Sequence, residues 1–175
     1  MSFLTTTASL IHSSPLPNST TKPAAISMLQ DHPFFLSCDP HLASFNPLDD
    51  PATEIPDSIR SKLGTPDTKT ISYKVTDIVH TIPAGLWDTN VVSTYEFTNI
   101  TDGVFVRIRS PLSIVMDTVW EIKETEDGKG LELVEDISIT CSRLLIGVVK
   151  GQCEGGWAKI HAKMLGRLEE EAAKG

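Results

Sequence analysis

The sequence predicts an α+β protein in which a curved antiparallel β-sheet is followed by one long C-terminal helix. For about seventy residues after Lys69, apolar and polar side chains alternate with the period of half-buried strands. Short turns rich in Gly and Asp join these strands, and such turns connect antiparallel neighbours but are too short for parallel crossovers. From Gln152 to Lys174 the apolar residues return at helical spacing. A sheet with one dry face and a single helix to cover it is the predicted architecture.

Composition limits the function classes. The chain has 175 residues, so we expect one domain over residues 1–175. Its 15 basic and 23 acidic side chains give a formal net charge of −8, which disfavours nucleic acid and anionic membrane surfaces as partners. No apolar run of about 18 residues is present, so no membrane span is predicted.

The cysteines and the N-terminus indicate a cytoplasmic protein. The three cysteines lack metal-ligand spacing and cannot all pair, so we interpret them as reduced thiols and predict no metal. The first basic residue is Lys22, which leaves no basic region for a secretory signal. Glycine-rich nucleotide loops and zinc motifs are missing from the sequence as well, and we predict no cofactor.

The first half of the chain predicts one strand, two short helices and a second strand. A Thr-rich alternating segment ends at 13–17, and a helix from Thr20 to Gln30 has a hydroxyl cap and Pro23 in its first turn. A helical turn at 34–38 and a strand at 41–48 follow. Residues 49–69 then form a long Pro-rich loop, which we interpret as either a flexible connection or a lid that closes over a site.

Several strings in the second half resemble a known superfamily. They are TDIVH at 76–80, PAGLWD at 83–88 and CSRLL at 141–145. Together with the element order, they are similar to a largely uncharacterised fungal family of the SRPBCC superfamily, which includes START-like lipid-transfer domains and aromatic polyketide cyclases. The resemblance implies a helix-grip fold, in which the sheet wraps around the terminal helix and leaves an internal apolar cavity.

Polar residues in phase with the dry strand faces are the candidate catalytic groups, because a buried carboxyl has a raised pKa and can donate a proton. Asp77 follows Ile71 and Val75 in phase, and Glu135 lies between Leu133 and Ile137. The alternative is that either carboxyl pairs with Arg143 or turns to solvent at a bulge. Tyr73 offers a hydroxyl, and His80 and His161 offer imidazoles near the cavity mouth.

Large side chains on the dry faces are the candidate substrate-binding residues, although each is also consistent with an ordinary core. The full set of predicted substrate-binding residues is Trp87, Tyr95, Trp120, Arg143, Trp157, His161 and Met164.

We therefore predict that the chain binds a bulky hydrophobic small molecule. One hypothesis is cofactor-free cyclisation or isomerisation of a polyketide or terpenoid, including a Diels-Alder-type pericyclic step, by conformational templating and a hydrogen bond to a carbonyl. The other hypothesis is a non-catalytic carrier or sensor of a lipid, sterol or other metabolite. The outward strand faces, represented by Glu96, Thr98 and Arg107, are expected to be ordinary solvated surface, which disfavours a protein-interaction module.

Overall fold

The computed structural model describes residues 4–50, 52–80 and 88–175, without the side chains of residues 79, 80 and 88. Its strands are β1 (Thr5–Pro15), β2 (Leu42–Leu48), β3 (Thr70–His80), β4 (Asp88–Ile100), β5 (Gly103–Ser110), β6 (Ile114–Glu124) and β7 (Leu131–Ser142). Its helices are α1 (Lys22–Gln30), α2 (His32–Ser37), α3 (Asp57–Arg60) and α4 (Ile146–Lys174).

The strands form one seven-stranded sheet in the order β1-β7-β6-β5-β4-β3-β2, and every neighbouring pair is antiparallel. Period-two alternation gives the sheet a concave face, on which α1, α2 and α4 lie, and a convex face. The predicted α+β helix-grip architecture is confirmed. Helix α4 begins at Ile146, six residues before the predicted start, because apolar Ile146 and Val149 already pack against the sheet.

Local sequence explains the helices α1 and α2, which cover the end of the sheet where β5 begins. Thr21 caps α1 by accepting a hydrogen bond from the Ala24 amide at 3.4 Å, and Pro23 occupies the first turn. Asp31 caps α2 in the same way through the Phe34 amide at 3.2 Å. Both helices carry their apolar side chains onto the concave face, so this end of the core is densely filled.

The core on the concave face is most complete toward the end of the sheet where β5 begins. Its fully buried members there include Phe97, Val104, Ile122, Leu133 and Met164. Toward the opposite end, where β3, β5 and β7 finish and α4 begins, Ile139 and Cys141 of β7 remain buried, whereas the inward apolar side chains of β5 and β6 keep partial exposure. We call the region at the end where β5 begins the lower half of the concave face, and the region at the end where α4 begins its upper half.

Within the segment at 49–69, residues 52–63 lie on the convex face of the sheet. The single turn α3 buries Ile59 against Ile100 and Phe105, which point away from α4. Thr53 holds Glu96 through its amide at 3.0 Å and its hydroxyl at 2.5 Å. The segment therefore lies on the opposite face from the one that a lid over the predicted cavity would have to cover.

This placement corrects the expectation of a solvated outer surface. Thr98 is 0% exposed and Glu96 is 5% exposed, because the segment at 52–63 covers them. Arg107 is held by Asp117 at 2.6 and 2.7 Å and by the Glu54 carbonyl at 2.9 Å. Alternating Thr, Glu and Arg residues look solvated in a sequence, but their neighbours from a distant loop decide their exposure.

Candidate functional site

The upper half of the concave face combines apolar side chains from the sheet and from α4. Ile108, Ile114 and Met116 face inward from β5 and β6, and Cys153 faces them from α4. Cys153 approaches Met116 with 3.8 Å between the two sulfur atoms. All of these side chains are only half-buried, which distinguishes them from the closed core of the lower half.

A glycine on α4 marks unfilled space next to these residues. Gly156 is half-buried and lies between Cys153 and Ile160 along the concave-facing side of the helix. A Cβ atom added at Gly156 would meet no heavy atom within 4 Å. Protein interiors are normally packed to crystal-like density, so open space on this side of the helix is unusual. A carbon atom added at this position would not displace a neighbour.

Asp77 and Tyr95 form the polar group of this upper half on the β3 and β4 side. Burial raises the pKa of the Asp77 carboxyl to about 6, and repulsion from Asp39 adds to this, whereas His41 and the Tyr95 hydroxyl act in the opposite direction. Burial raises the pKa of Tyr95 well above 10, so its hydroxyl stays neutral and donates to Asp77. The Oδ1 atom of Asp77 is buried and has no hydrogen-bond partner among the described residues.

A second polar cluster holds α4 against β1 and β7. Glu135 Oε2 accepts a hydrogen bond from His12 Nδ1 at 3.0 Å and lies 3.7 Å from His161 Nε2. Ser14 Oγ completes the cluster at 2.8 Å from His161 Nδ1. The indole of Trp157 stacks on His12 with ring centroids 4.7 Å apart and an interplanar angle of 7°.

The residues of this second cluster are buried as well as paired with one another. Glu135 is 6%, His12 7% and His161 1% exposed, and a buried charge of this kind must be paired to be tolerated. His12 also lies 3.5 Å from Glu154, so it has carboxylates on two sides. We call His12, Ser14, Glu135 and His161 the helix clamp, because they tie the middle of α4 to the sheet edge.

Asp77 and Glu135 face the same concave side but cannot act on one atom together. Four strand spacings separate β3 from β7 in the sheet order, or roughly 19 Å along the curved surface. The site therefore has two polar ends with apolar surface between them.

Three further predicted residues belong to the closed part of the molecule. Tyr73 is 8% exposed, and its hydroxyl lies 3.5 Å from His32 Nδ1 at the α2 side of the core. Trp120 is 4% exposed and donates its indole N–H to Thr118 at 3.1 Å. Met164 is completely buried beneath them. They shape the floor of the upper half.

The prediction that Arg143 shares the concave face is wrong. Strand β7 ends at Ser142, and Arg143 turns outward in the exposed connection to α4, with its amide bonded to the Leu4 carbonyl. The alternative of an Arg143 ion pair with Asp77 or Glu135 is excluded for the same reason. Trp87 lies outside the described residues, as does the side chain of His80, which closes β3.

His12 and Ser14 are site residues that the sequence analysis did not identify. His12 and Ser14 are in phase with Leu10 on β1, so the alternation on that short strand was the available signal. Two clefts are bounded by described residues, of about 310 and 240 Å³, at Glu54–Asp57 with Arg107 and at Leu16–Thr20 with Lys129. Neither contains Asp77 or Glu135, so the enclosed apolar cavity stays a prediction.

The helix clamp makes a prediction about stability. Glu135→Ala should lower the free energy of unfolding by about 3 kcal/mol, because the buried His12 loses its hydrogen-bond acceptor and the buried His161 loses the neighbouring carboxylate. Glu154→Ala is the matched control, since it also removes a carboxylate near His12 but from a side chain that is 50% exposed, and should change stability by less than about 1 kcal/mol. Urea unfolding measures both. Equal losses in the two variants would contradict the buried role of Glu135.

Comparisons with solved structures support the helix-grip fold. The di-domain ARO/CYC StfQ from the steffimycin biosynthetic pathway matches 95% of this chain with a TM-score of 0.63 and 10% identity. This chain spans about half of StfQ, 52% of its length. Ara h 8.0201 matches with a TM-score of 0.53 and 13% identity, over 95% of this chain and 99% of its own. TTHA0849 from Thermus thermophilus matches with a TM-score of 0.55 and 10% identity over the same shares.

Sequence comparison assigns the family. No curated protein matches this sequence. None of the helices in the described ranges has the length and hydropathy needed to cross a bilayer. A family model matches residues 5–170, nearly the whole chain, and the chain therefore belongs to the family described as Domain of unknown function (DUF7053).

Proposed function

We propose that this protein binds a bulky hydrophobic small molecule between α4 and the upper half of the concave face. The observation that carries the proposal is the half-exposed apolar surface around Met116, Cys153 and the open space at Gly156, with the unpartnered oxygen of Asp77 on the same face. Apolar surface with a few convergent polar groups is the usual composition of small-molecule sites. A ligand there removes apolar area from water and gives Asp77 a hydrogen-bond partner.

We further propose that Asp77 acts as an acid–base group in a cofactor-free cyclisation or isomerisation of a polyketide or terpenoid. A carboxyl with a pKa of about 6 is poised to exchange a proton near neutrality, and Tyr95 orients it. At pH 7 about one-tenth of such groups are protonated, so proton donation to a carbonyl is strongest below pH 6. The description of StfQ as an ARO/CYC protein supports this choice among reactions.

A carrier or sensor in the cytoplasm is the second candidate function. It is favoured by the separation of the two polar ends of the site, since Asp77 and Glu135 lie roughly 19 Å apart along the sheet and cannot act together on one atom. Native mass spectrometry separates the two candidates. An apolar molecule retained through purification supports a carrier, whereas conversion of an added polyketide or terpenoid supports the enzyme.

Filling the space at Gly156 should weaken the binding of an apolar ligand. Gly156→Leu places a side chain where no atom now lies, and we expect the affinity for the neutral apolar probe N-phenyl-1-naphthylamine to fall at least about tenfold. Gly155→Leu is the matched control, because it changes the adjacent, exposed glycine of the same helix and should leave affinity unchanged. Fluorescence titration gives both values.

The same pair of variants distinguishes a loss of probe binding from a loss of folding. Each replaces a glycine in a helix interior, which should raise the stability of α4 by up to about 1 kcal/mol. Weaker probe binding by Gly156→Leu alone therefore reports the occupied space. Identical probe affinity in the natural protein and both variants would refute the site.

Asp77→Asn tests whether the Asp77 carboxyl is kept at the expense of stability. Because its folded pKa of about 6 lies above the ordinary 3.8, the folded state holds the proton more tightly, and ionisation destabilises the fold as pH rises from about 4 to 6. At pH 7 the substitution should therefore stabilise the protein by on the order of 1–2 kcal/mol, after allowance for solvent screening, and at pH 4 it should have little effect. Thermal unfolding at the two pH values measures this. A loss of stability at pH 7 would instead assign Asp77 a structural role.

A further inference from the structure

Exposed large apolar side chains gather at the upper end of the sheet. Leu112 in the β5–β6 turn is 72% exposed, Leu144 in the β7–α4 connection is 87% exposed, and Val148 in the first turns of α4 is 61% exposed. Leu4, 66% exposed, joins them through the bond between its carbonyl and the Arg143 amide. We call Leu4, Leu112, Leu144 and Val148 the apolar rim.

The register of the sheet brings these segments together. Ser142 at the end of β7 pairs with Thr5 at the start of β1, and Thr140 pairs with Val115 directly after the β5–β6 turn. Ile114 at that turn packs in one cluster with Leu145 and Ile146 of the β7–α4 connection. The apolar rim therefore lies at the end of the molecule where β1 begins, β5 and β7 end and α4 begins, which is the upper end of the concave face.

The backbone of the β5–β6 turn holds Leu112 outward at an energetic cost. Leu112 and Ser113 have φ values of 63° and 58°, in the left-handed region that side chains other than Asn, Asp and Gly disfavour. Stability alone favours Gly or Asn at such a turn, and a polar residue at such an exposed position. A strained turn that presents leucine to solvent is the kind of feature that binding selects.

Charge is distributed unequally between the two ends of the molecule. Arg143 and Lys150 are exposed beside the apolar rim, and the first turn of α4 contains no acidic residue, so the positive end of the helix dipole is not neutralised there. Glu154, the nearest exposed acid on α4, is turned to His12. A group of exposed acidic side chains lies at the opposite end, in the β6–β7 turn and the last turns of α4: Glu124, Glu126, Asp127, Glu169, Glu170 and Glu171.

We propose that the apolar rim docks the protein onto an anionic membrane surface, with Leu112, Leu144 and Val148 entering the interface and Arg143 and Lys150 contacting lipid headgroups. Apolar insertion combined with basic side chains is the combination that peripheral membrane binding requires. The net charge of −8 does not prevent docking, because the acidic groups of the β6–β7 turn and of the last turns of α4 face away from the surface in this orientation. A hydrophobic ligand then passes between the bilayer and the upper half of the concave face without crossing water.

Vesicle co-sedimentation of the full chain tests this proposal. We expect binding to vesicles of phosphatidylcholine with about one-third phosphatidylserine, and at least about tenfold weaker binding to phosphatidylcholine alone. The combined variant Leu112→Ser, Leu144→Ser and Val148→Ser should lose at least about tenfold in affinity for the anionic vesicles. Arg143→Gln with Lys150→Gln should bind both kinds of vesicle with similar, weak affinity.

Ile11→Ser is the matched control, because Ile11 is equally apolar and 68% exposed but lies on the convex side of the edge strand β1. It should bind vesicles like the natural protein. No binding to anionic vesicles, or an equal loss in the control, would overturn the proposal. A dimer that the combined variant dissociates, without vesicle binding, would overturn it in favour of a second copy of this chain. Ligand binding is not needed for the assay, so Gly156→Leu should still bind vesicles, and failures of the two proposals are distinguishable.

Discussion

The structure depends on how a single long helix is fixed to one side of a strongly curved sheet. Glu135 accepts a hydrogen bond from His12 and lies beside His161, and these buried groups tie α4 to β1 and β7. A buried carboxylate without such partners would be strongly destabilising, so the helix has one favourable position across the sheet. With α4 held along that edge, the inward side chains of β4 to β6 keep partial exposure toward the upper end.

The two halves of the concave face consequently differ in kind. In the lower half, α1, α2 and the end of α4 complete a core in which Phe97, Ile122 and Met164 are fully buried. In the upper half, α4 presents Cys153 and Gly156 to a sheet surface that these residues do not fill. A glycine in the interior of a helix lowers the stability of that helix by about 1 kcal/mol. Gly156, on the side of α4 that faces the sheet, therefore leaves open space there at a cost in helix stability.

The fold was predictable from the sequence because its periodic signals are local. Alternation in β3 to β7, the capping residues Thr21 and Pro23 of α1, and the apolar spacing of α4 each depend on neighbours a few residues away. The site was predictable only in part. The phase of Asp77, Glu135 and Tyr95 on their strands identified inward-facing polar groups, but phase does not say where along the groove a residue lies, so Tyr73 and Trp120 were grouped with residues of the upper half.

Contacts between distant parts of the chain explain why the remaining features were not predictable from the sequence. Glu96 and Thr98 are buried by a loop more than thirty residues earlier in the chain, and Arg143 leaves the sheet because β7 ends one residue before it. His12 and His161 are 149 positions apart, from residue 12 to residue 161, so their shared contact with Glu135 had no local signal. Such contacts follow from the tertiary arrangement and not from propensity.

Methyl NMR of the four methionines, labelled with ¹³C at the methyl carbon, tests the location of the ligand site. Met116 lines the upper half of the concave face, whereas Met28 belongs to α1, is 1% exposed and packs in the closed core of the lower half. With bound N-phenyl-1-naphthylamine, we expect nuclear Overhauser effects between the probe and the Met116 methyl group and none to Met28. Probe contacts at Met28 but not at Met116, or a bound probe that contacts neither, would contradict a ligand site between α4 and the upper half of the sheet.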